Sequence, residues 1–372
     1  MNNAISKSTF LSCLTKGLTE DHSLINNEQT IDAFLRNILK AQLHGFVSQK
    51  LTLSQMSKLP KAFALHMRSV QQFSFAQQTQ TQLACTQLAD ALLHSGIKVT
   101  LLKGAAYILG EKQNALGRLI SDIDILVPKL KMPQLEAFLK DNGWQAVVLE
   151  DYDEKYYREW SHELPPYTHL ESGVTLDIHH TLIPESSGKI INVDLLFENS
   201  TQMAANLFVP DNCHLVLHSA IHLLLNDDIE KGLRDCFDLH LLLTEIAKQD
   251  KTTDLVELFI QSNCERELVI LLNLLTHLFD KDTQPYCKLM SDKIAQLTPF
   301  EKIKVTCLYH AIFPQSRYLE NSTNSLARFY VYTSGHLSKM PLPKFIKHIT
   351  YKTYRGIVKK LLGAHVFAKS PQ

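Results

Sequence analysis

Between Ile31 and Leu92 the apolar residues recur mostly at spacings of three and four, with Gly and Pro nearly absent, which predicts several amphipathic helices. The last of these ends at Ser95-Gly96, a helix C-terminal signal. The pattern then changes. Ile97 to Leu102 alternates like a strand, Gly104 interrupts it, and a short helix is predicted from Ala105 to Gly110. A second strand is expected at Asp122 to Val127, a helix at Pro133 to Asp141 with Gly143 just beyond it, and a third strand at Gln145 to Leu149. Tyr167 to Leu170 and Val174 to His179, joined by Glu171-Ser172-Gly173, read as a hairpin. Beyond Pro184 the helical period returns and stays, with Asp211 capping a helix through His222 and further helices at Gly232 to Ile246, Asp254 to Phe279 and Pro299 to Ile312. The fold class is therefore α+β. An N-terminal helical region (1–95) precedes a small mixed-sheet core (96–185), and a C-terminal helical domain with a basic tail (186–372) follows.

Composition adds limits. A chain of 372 residues with 45% hydrophobic content can bury a real core and hold two or three domains. The seven cysteines are odd in number, widely spread and contain no C-x-x-C pair, which argues for reduced thiols in a cytoplasmic protein and against a zinc ribbon or disulfide scaffold. No apolar h-region follows the N-terminal residues and no apolar run reaches membrane-spanning length, so a cytoplasmic, soluble protein is expected.

The acids in Ser121-Asp122-Ile123-Asp124-Ile125-Leu126-Val127 stand out, because the run otherwise wants to be a buried strand. Side chains alternate along a strand, so Asp122 and Asp124 point one way and Ile123 and Ile125 the other. At about 6 Å and an effective dielectric of about 20, two such charges repel by ~3 kcal/mol. A divalent metal converts that repulsion into attraction; the alternative is a strand end whose acids are solvated. In the hairpin, Val174-Thr175-Leu176-Asp177-Ile178-His179-His180 places another lone acid among apolar and β-branched residues. Asp177 either faces solvent or joins the first pair as a third ligand of one divalent-metal site.

With Leu101-Leu102-Lys103-Gly104-Ala105-Ala106, then Arg118 and the Asp122/Asp124 strand, then Leu176-Asp177-Ile178-His179, the chain resembles the polymerase β-like nucleotidyltransferase superfamily, in particular its poorly characterised bacterial branch. The resemblance covers the middle quarter of the chain closely and the flanking helices loosely. It implies a short mixed sheet flanked by helices, and transfer of a nucleoside monophosphate from a nucleoside triphosphate to a hydroxyl acceptor, with loss of pyrophosphate. Asp122, Asp124 and Asp177 would be the catalytic residues and bind Mg²⁺ or Mn²⁺, while Lys103, Gly104 and Arg118 would hold the nucleotide. Many superfamily members carry Gly-Ser after the first strand, whereas Lys103-Gly104-Ala105 lacks the hydroxyl. Contact to the phosphates then falls to backbone N–H groups at the helix start, to Lys103 or to Arg118. Arg118 is equally read as a structural partner of the acidic strand. A nucleotide-binding or scaffold protein that kept the fold without turnover is the competing reading.

Other signals are weaker. His214, His218 and His222 share a helical face, read here as a packing face rather than a metal site because H-E-x-x-H is absent. His179 shares a strand face with Asp177, as a plain hairpin residue or as one that orients a ligating acid or a phosphate. Arg234 and Asp238, one helical turn apart, are expected to pair, the alternative being an Arg234 that reaches base or phosphate. After Glu320 there is no Asp or Glu, while nine basic residues from Arg328 to Lys369 alternate with Phe, Tyr and Ile. That tail suits an anionic surface such as RNA or lipid, or an acidic patch of the same chain, since the 38 acidic and 38 basic residues balance overall.

Overall fold

A computed structural model describes residues 4–16, 27–149, 161–225, 228–279, 296–321, 323–339 and 342–362. Lys369 of the basic tail and Cys287 lie outside the described residues. The helical N-terminal pattern resolves into Glu28–Lys40, His44–Lys50, Leu53–Ser57 and the long helix Lys61–Leu92. Asn27 caps the first by accepting from the Gln29 and Thr30 N–H groups, and Thr52 closes a capping box with Gln55 on the third.

Seven strands follow: β1 Val99–Leu101, β2 Ile123–Leu126, β3 Trp144–Ala146, β4 Tyr167–His169, β5 Thr175–His179, β6 Ser200–Ala204 and β7 Leu207–Pro210. They form one mixed sheet in the order β3-β4-β5-β2-β1-β7-β6, with β2–β5 and β1–β7 parallel and the other pairs antiparallel. Both the α+β class and the expected Tyr167/His179 hairpin are found, with Gly173 at φ +68° in its turn. Two expectations need correction. The C-terminal half is not purely helical: β6 and β7 complete the sheet, because Leu207 and Val209 alternate into the core while Asn206 takes φ +57° in the turn. Asp254 to Phe279 is not one helix either. It breaks into Thr252–Gln261 and Glu265–Leu278 at Asn263, whose φ of +53° is a backbone state that Asn tolerates better than most residues.

Strand alternation sorts the central sheet into two faces. Ile123, Ile125, Leu176 and Ile178 enter the main core with Val99 and Leu101. The opposite face carries Leu126 in a small apolar cluster with Leu102, Leu182 and Leu196, and the acids lie just beyond it. The loop that leads into β2 is pinned from outside. Gln78 Nε2 of the long helix donates to the Ala115 carbonyl at 2.6 Å, and the Ile120 N–H donates to Gln77 Oε1 at 3.3 Å. Gly45 of helix His44–Lys50 packs backbone to backbone on Gly117, so closely that a Cβ on either residue would run into the other's carbonyl. Gly117 also sits at φ +70°. Gly117→Ala is therefore expected to cost ~2 kcal/mol, read as a lower denaturant midpoint. Gly173→Ala, where φ is also positive but nothing lies within 4 Å of the added carbon, should cost less.

Candidate functional site

The parallel pairing of β2 with β5 sets Asp124 opposite Asp177, with Ile123 opposite Leu176 and Ile125 opposite Ile178. Directly paired residues on neighbouring strands point to the same face, so the two carboxylates stand side by side. Asp122 lies one residue before β2, on the same face by alternation, half-buried and bonded to Ser121 Oγ at 3.1 Å. The sequence reading thus finds its three acids on one surface. Together with Lys103, Gly104 and Arg118 they line a single cleft of about 300 Å³. Helix Asn212–Leu225 walls it with Ser219 and His222, helix Gly232–Lys248 with Arg234, Asp235 and Asp238, and Lys339 adds a further cation.

Asp124 is the most enclosed acid. Its Oδ1 accepts from Lys103 Nζ at 2.6 Å and from His179 Nε2 at 3.2 Å. Burial alone would raise its pKa, but the Lys103 charge and the His179 hydrogen bond outweigh that and hold the carboxyl well below the usual range. Burial likewise disfavours the Lys103 charge, and Asp124 more than restores it, so that ammonium is held above its ordinary value. Lys103 occupies a left-handed backbone state, φ +43°, which directs a residue at the start of helix Lys103–Leu109 back toward β2. His179, which the sequence left as a hairpin residue or an orienting group, orients Asp124.

Asp177 behaves in the opposite way. Burial and the neighbouring Asp124, Asp122 and Glu163 charges push it up to about 7. Below the unfolded value near 3.8 both states carry the proton, while between there and about 7 only the folded state does, so this contribution to stability is lost as pH rises toward neutrality. The metal-free thermal midpoint is therefore expected to fall between pH 5 and 7.5 more steeply than that of Asp177→Asn. A cluster of oxygen donors whose mutual repulsion is this strong fits a hard divalent cation, which takes carboxylate oxygens and removes the repulsion. Loading with Mg²⁺ near pH 6.5 should release about one proton in wild type and fewer in Asp177→Asn, measured by calorimetry in two buffers of different ionisation enthalpy.

Arg118 does not pair with the acidic strand. It is buried against Asp238 of helix Gly232–Lys248 and lies over the Tyr107 ring at 5.1 Å, while Tyr107 shares a 2.6 Å hydrogen bond with Ser219. Burial lifts the Asp238 carboxyl to about 6, opposed by Arg118 and Arg234. The expected Arg234–Asp238 pair is absent among the described contacts. Asp238 faces inward and meets Arg118, whereas Arg234 binds Asp235 at 3.1 Å and Gln42 Oε1 at 2.8 Å. Gly104 is buried, and the room a Cβ would take is filled by Ile120 at 3.1 Å and Arg118 Nε at 3.4 Å, so its bare Cα serves this packing.

One acid-and-histidine feature went unread in the sequence. His162 and Glu163, beyond β3 in the chain, return along β5, where Glu163 bridges to His179. On helix Asn212–Leu225, Asp211 caps as expected by accepting from the His214 N–H at 2.9 Å and also binds the His214 ring at 2.7 Å. His218 packs edge-on against His179, 6.1 Å between ring centres, and burial holds both His218 and His222 well below the ordinary histidine value. Among the described residues no helix is long and apolar enough to cross a membrane, and Cys13, Cys85, Cys213, Cys236, Cys264 and Cys307 are in no disulfide.

The family model described as "Uncharacterised nucleotidyltransferase" matches residues 27–280, a span that contains the whole sheet and every residue of the acidic cluster. No curated protein and no solved structure matches the chain.

Proposed function

The chain belongs to the uncharacterised nucleotidyltransferase family, and from that premise we propose that it transfers a nucleoside monophosphate from a nucleoside triphosphate to a hydroxyl acceptor, releasing pyrophosphate. In this reading Asp122, Asp124 and Asp177 hold Mg²⁺ or Mn²⁺, and the catalytic unit expected over 96–185 extends to Pro210, since β6 and β7 belong to its sheet. The observation that carries it is the in-register placement of Asp124 beside Asp177 in a cleft also lined by Lys103, Lys231, Arg234 and Lys339.

Divalent ions held by Asp122, Asp124 and Asp177 would supply positive charge that offsets the charge of the triphosphate. The protein's own groups do the rest. His179 and Lys103 fix the orientation of Asp124, so the carboxylate pays no rearrangement when the triphosphate arrives. Asp177 completes the site where the acceptor hydroxyl loses its proton, and its carboxylate is the group placed to accept that proton. The cations around the cleft draw in a polyanion and balance the charge on pyrophosphate as it departs. The acceptor class stays open among small metabolites, glycan or lipid intermediates, protein side chains and RNA ends. An RNA or lipid acceptor would also give the basic, aromatic helices at Ser325–Lys339 and Leu342–Leu362 an anionic surface to bind.

One observation favours a nucleotide-binding scaffold instead: Ala105 offers no hydroxyl after Gly104, and Ile120 covers the Gly104 Cα. Incubation with α-labelled nucleoside triphosphates and fractionated cell extract separates the two. The transferase reading expects label in one acceptor fraction with stoichiometric pyrophosphate. Nucleotide binding without label in any fraction would move the assignment to the scaffold.

A further inference from the structure

We propose that His162, Glu163 and His179 form a second cation site beside the carboxylate cluster, one that takes a borderline transition ion of the Zn²⁺ class. The backbone brings them together. The segment carrying His162 and Glu163 runs antiparallel to the end of β5, held by Leu164 N–H to the Ile178 carbonyl at 2.8 Å and His180 N–H to the His162 carbonyl at 3.0 Å. Glu163 is thereby the bridge partner of His179, and one ligand atom from each of the three residues lies within 4.8 Å of the others. Donors around a tetrahedral zinc stand about 3.3 Å apart, a contraction that side-chain rotation can supply.

Hydrogen-bond logic says what the site lacks. Asp124 Oδ1 already accepts from Lys103 Nζ at 2.6 Å, and as a carboxylate oxygen it accepts again from the His179 Nε2 facing it at 3.2 Å, which makes that nitrogen the N–H. In the neutral ring the other nitrogen, Nδ1, then carries a lone pair. That atom is buried without a hydrogen-bond partner and faces Glu163 Oε2 at 3.7 Å. His162 adds a second such nitrogen: its Nδ1 is also buried and unpartnered. Two buried imidazole nitrogens without partners beside a carboxylate form a donor set that a cation satisfies, and each such buried polar atom is costly if its bond is left unmade.

The donor set chooses the ion. Two imidazoles and one carboxylate suit zinc and its neighbours, whereas magnesium prefers oxygen throughout, as in the acidic cluster. Asp124–His179–ion is moreover the carboxylate–histidine–metal relay that fixes a ligand's tautomer and raises its basicity. Three protein ligands leave a fourth position, and all three residues line the same cleft as Asp122 and Asp177. The site stands on this geometry and not on the transfer reaction.

The test is a Co²⁺ titration of the full chain after chelator treatment, followed by visible absorption and then displacement with Zn²⁺. One equivalent of Co²⁺ is expected to give the strong bands of a four-coordinate ion. Glu163→Gln, which keeps the side-chain volume, and His162→Ala should each weaken binding by about tenfold or more. Asp177→Asn, which removes a proposed magnesium ligand, should leave the bands and the affinity unchanged, so loss of the transferase reading would not touch this one. No bands in wild type overturns the proposal. So does unchanged affinity in both Glu163→Gln and His162→Ala, or loss of the site in Asp177→Asn alone, which would assign the ion to the carboxylates.

Discussion

Asp124→Asn is expected to lower nucleotidyl transfer by about 10³-fold or more while leaving the fold intact. The substitution keeps an oxygen at the position that accepts from Lys103 and His179 but removes the charge those contacts stabilise. Preorganised electrostatic groups at a reacting centre are worth ~3–4 kcal/mol each, and this carboxylate would also be the most buried of the metal ligands. Stability should change less, because the amide can still accept from the partly exposed Lys103 ammonium and the Glu163 and Asp122 charges still face it. Single-turnover transfer of label compared with the denaturant midpoint separates the two effects. Activity within tenfold of wild type would remove Asp124 from the mechanism.

The second large effect falls on stability. Arg118 and Asp238 form an ion pair with both partners buried, and the cost of breaking it depends on which partner is removed. Arginine cannot shed its proton, so Asp238→Leu strands a charge in the interior and is expected to cost ~3–5 kcal/mol at any pH between 6 and 8. Arg118→Met leaves an acid that can neutralise itself. Asp238 is already lifted to about 6 with the arginine present, and without it the carboxyl should hold its proton at neutral pH. The Arg118→Met protein should accordingly lose less stability at pH 6 than at pH 8, since the folded state keeps a proton that the unfolded state has released. The double variant Arg118→Met/Asp238→Leu replaces the pair by apolar groups and should recover most of the loss. Chemical denaturation of the four proteins at both pH values gives the answer, and additive single-variant losses would contradict a coupled pair. Nucleotide affinity of the folded double variant then reports whether Arg118 also reaches the phosphates.

The resemblance to a nucleotidyltransferase rests on features that lie within single segments. A strand with acids at alternate positions, a hairpin with a third acid, and a glycine after the first strand are local patterns, and each was found in a strand, hairpin or helix start close to its expected place. The partners of those residues were a different matter. Asp238 looked like the mate of Arg234 because a helix brings positions four apart together, yet burial gave it to Arg118 from a loop 120 residues away. The β6–β7 hairpin went unread because each strand is short and lies between helical stretches; its identity depends on pairing with β1, which no local period records.

Chain periodicity was sufficient for the α+β class, for the shared face of Asp122 and Asp124, and for Asp211 as a helix cap, since alternation and capping act over a few residues. The register that sets Asp124 against Asp177, the return of His162 and Glu163 to β5, and the turn that aims Lys103 at Asp124 arise between segments far apart in the chain. They are selected by which faces must be buried together, and that competition is resolved by packing the whole sheet at once rather than by any one stretch of it.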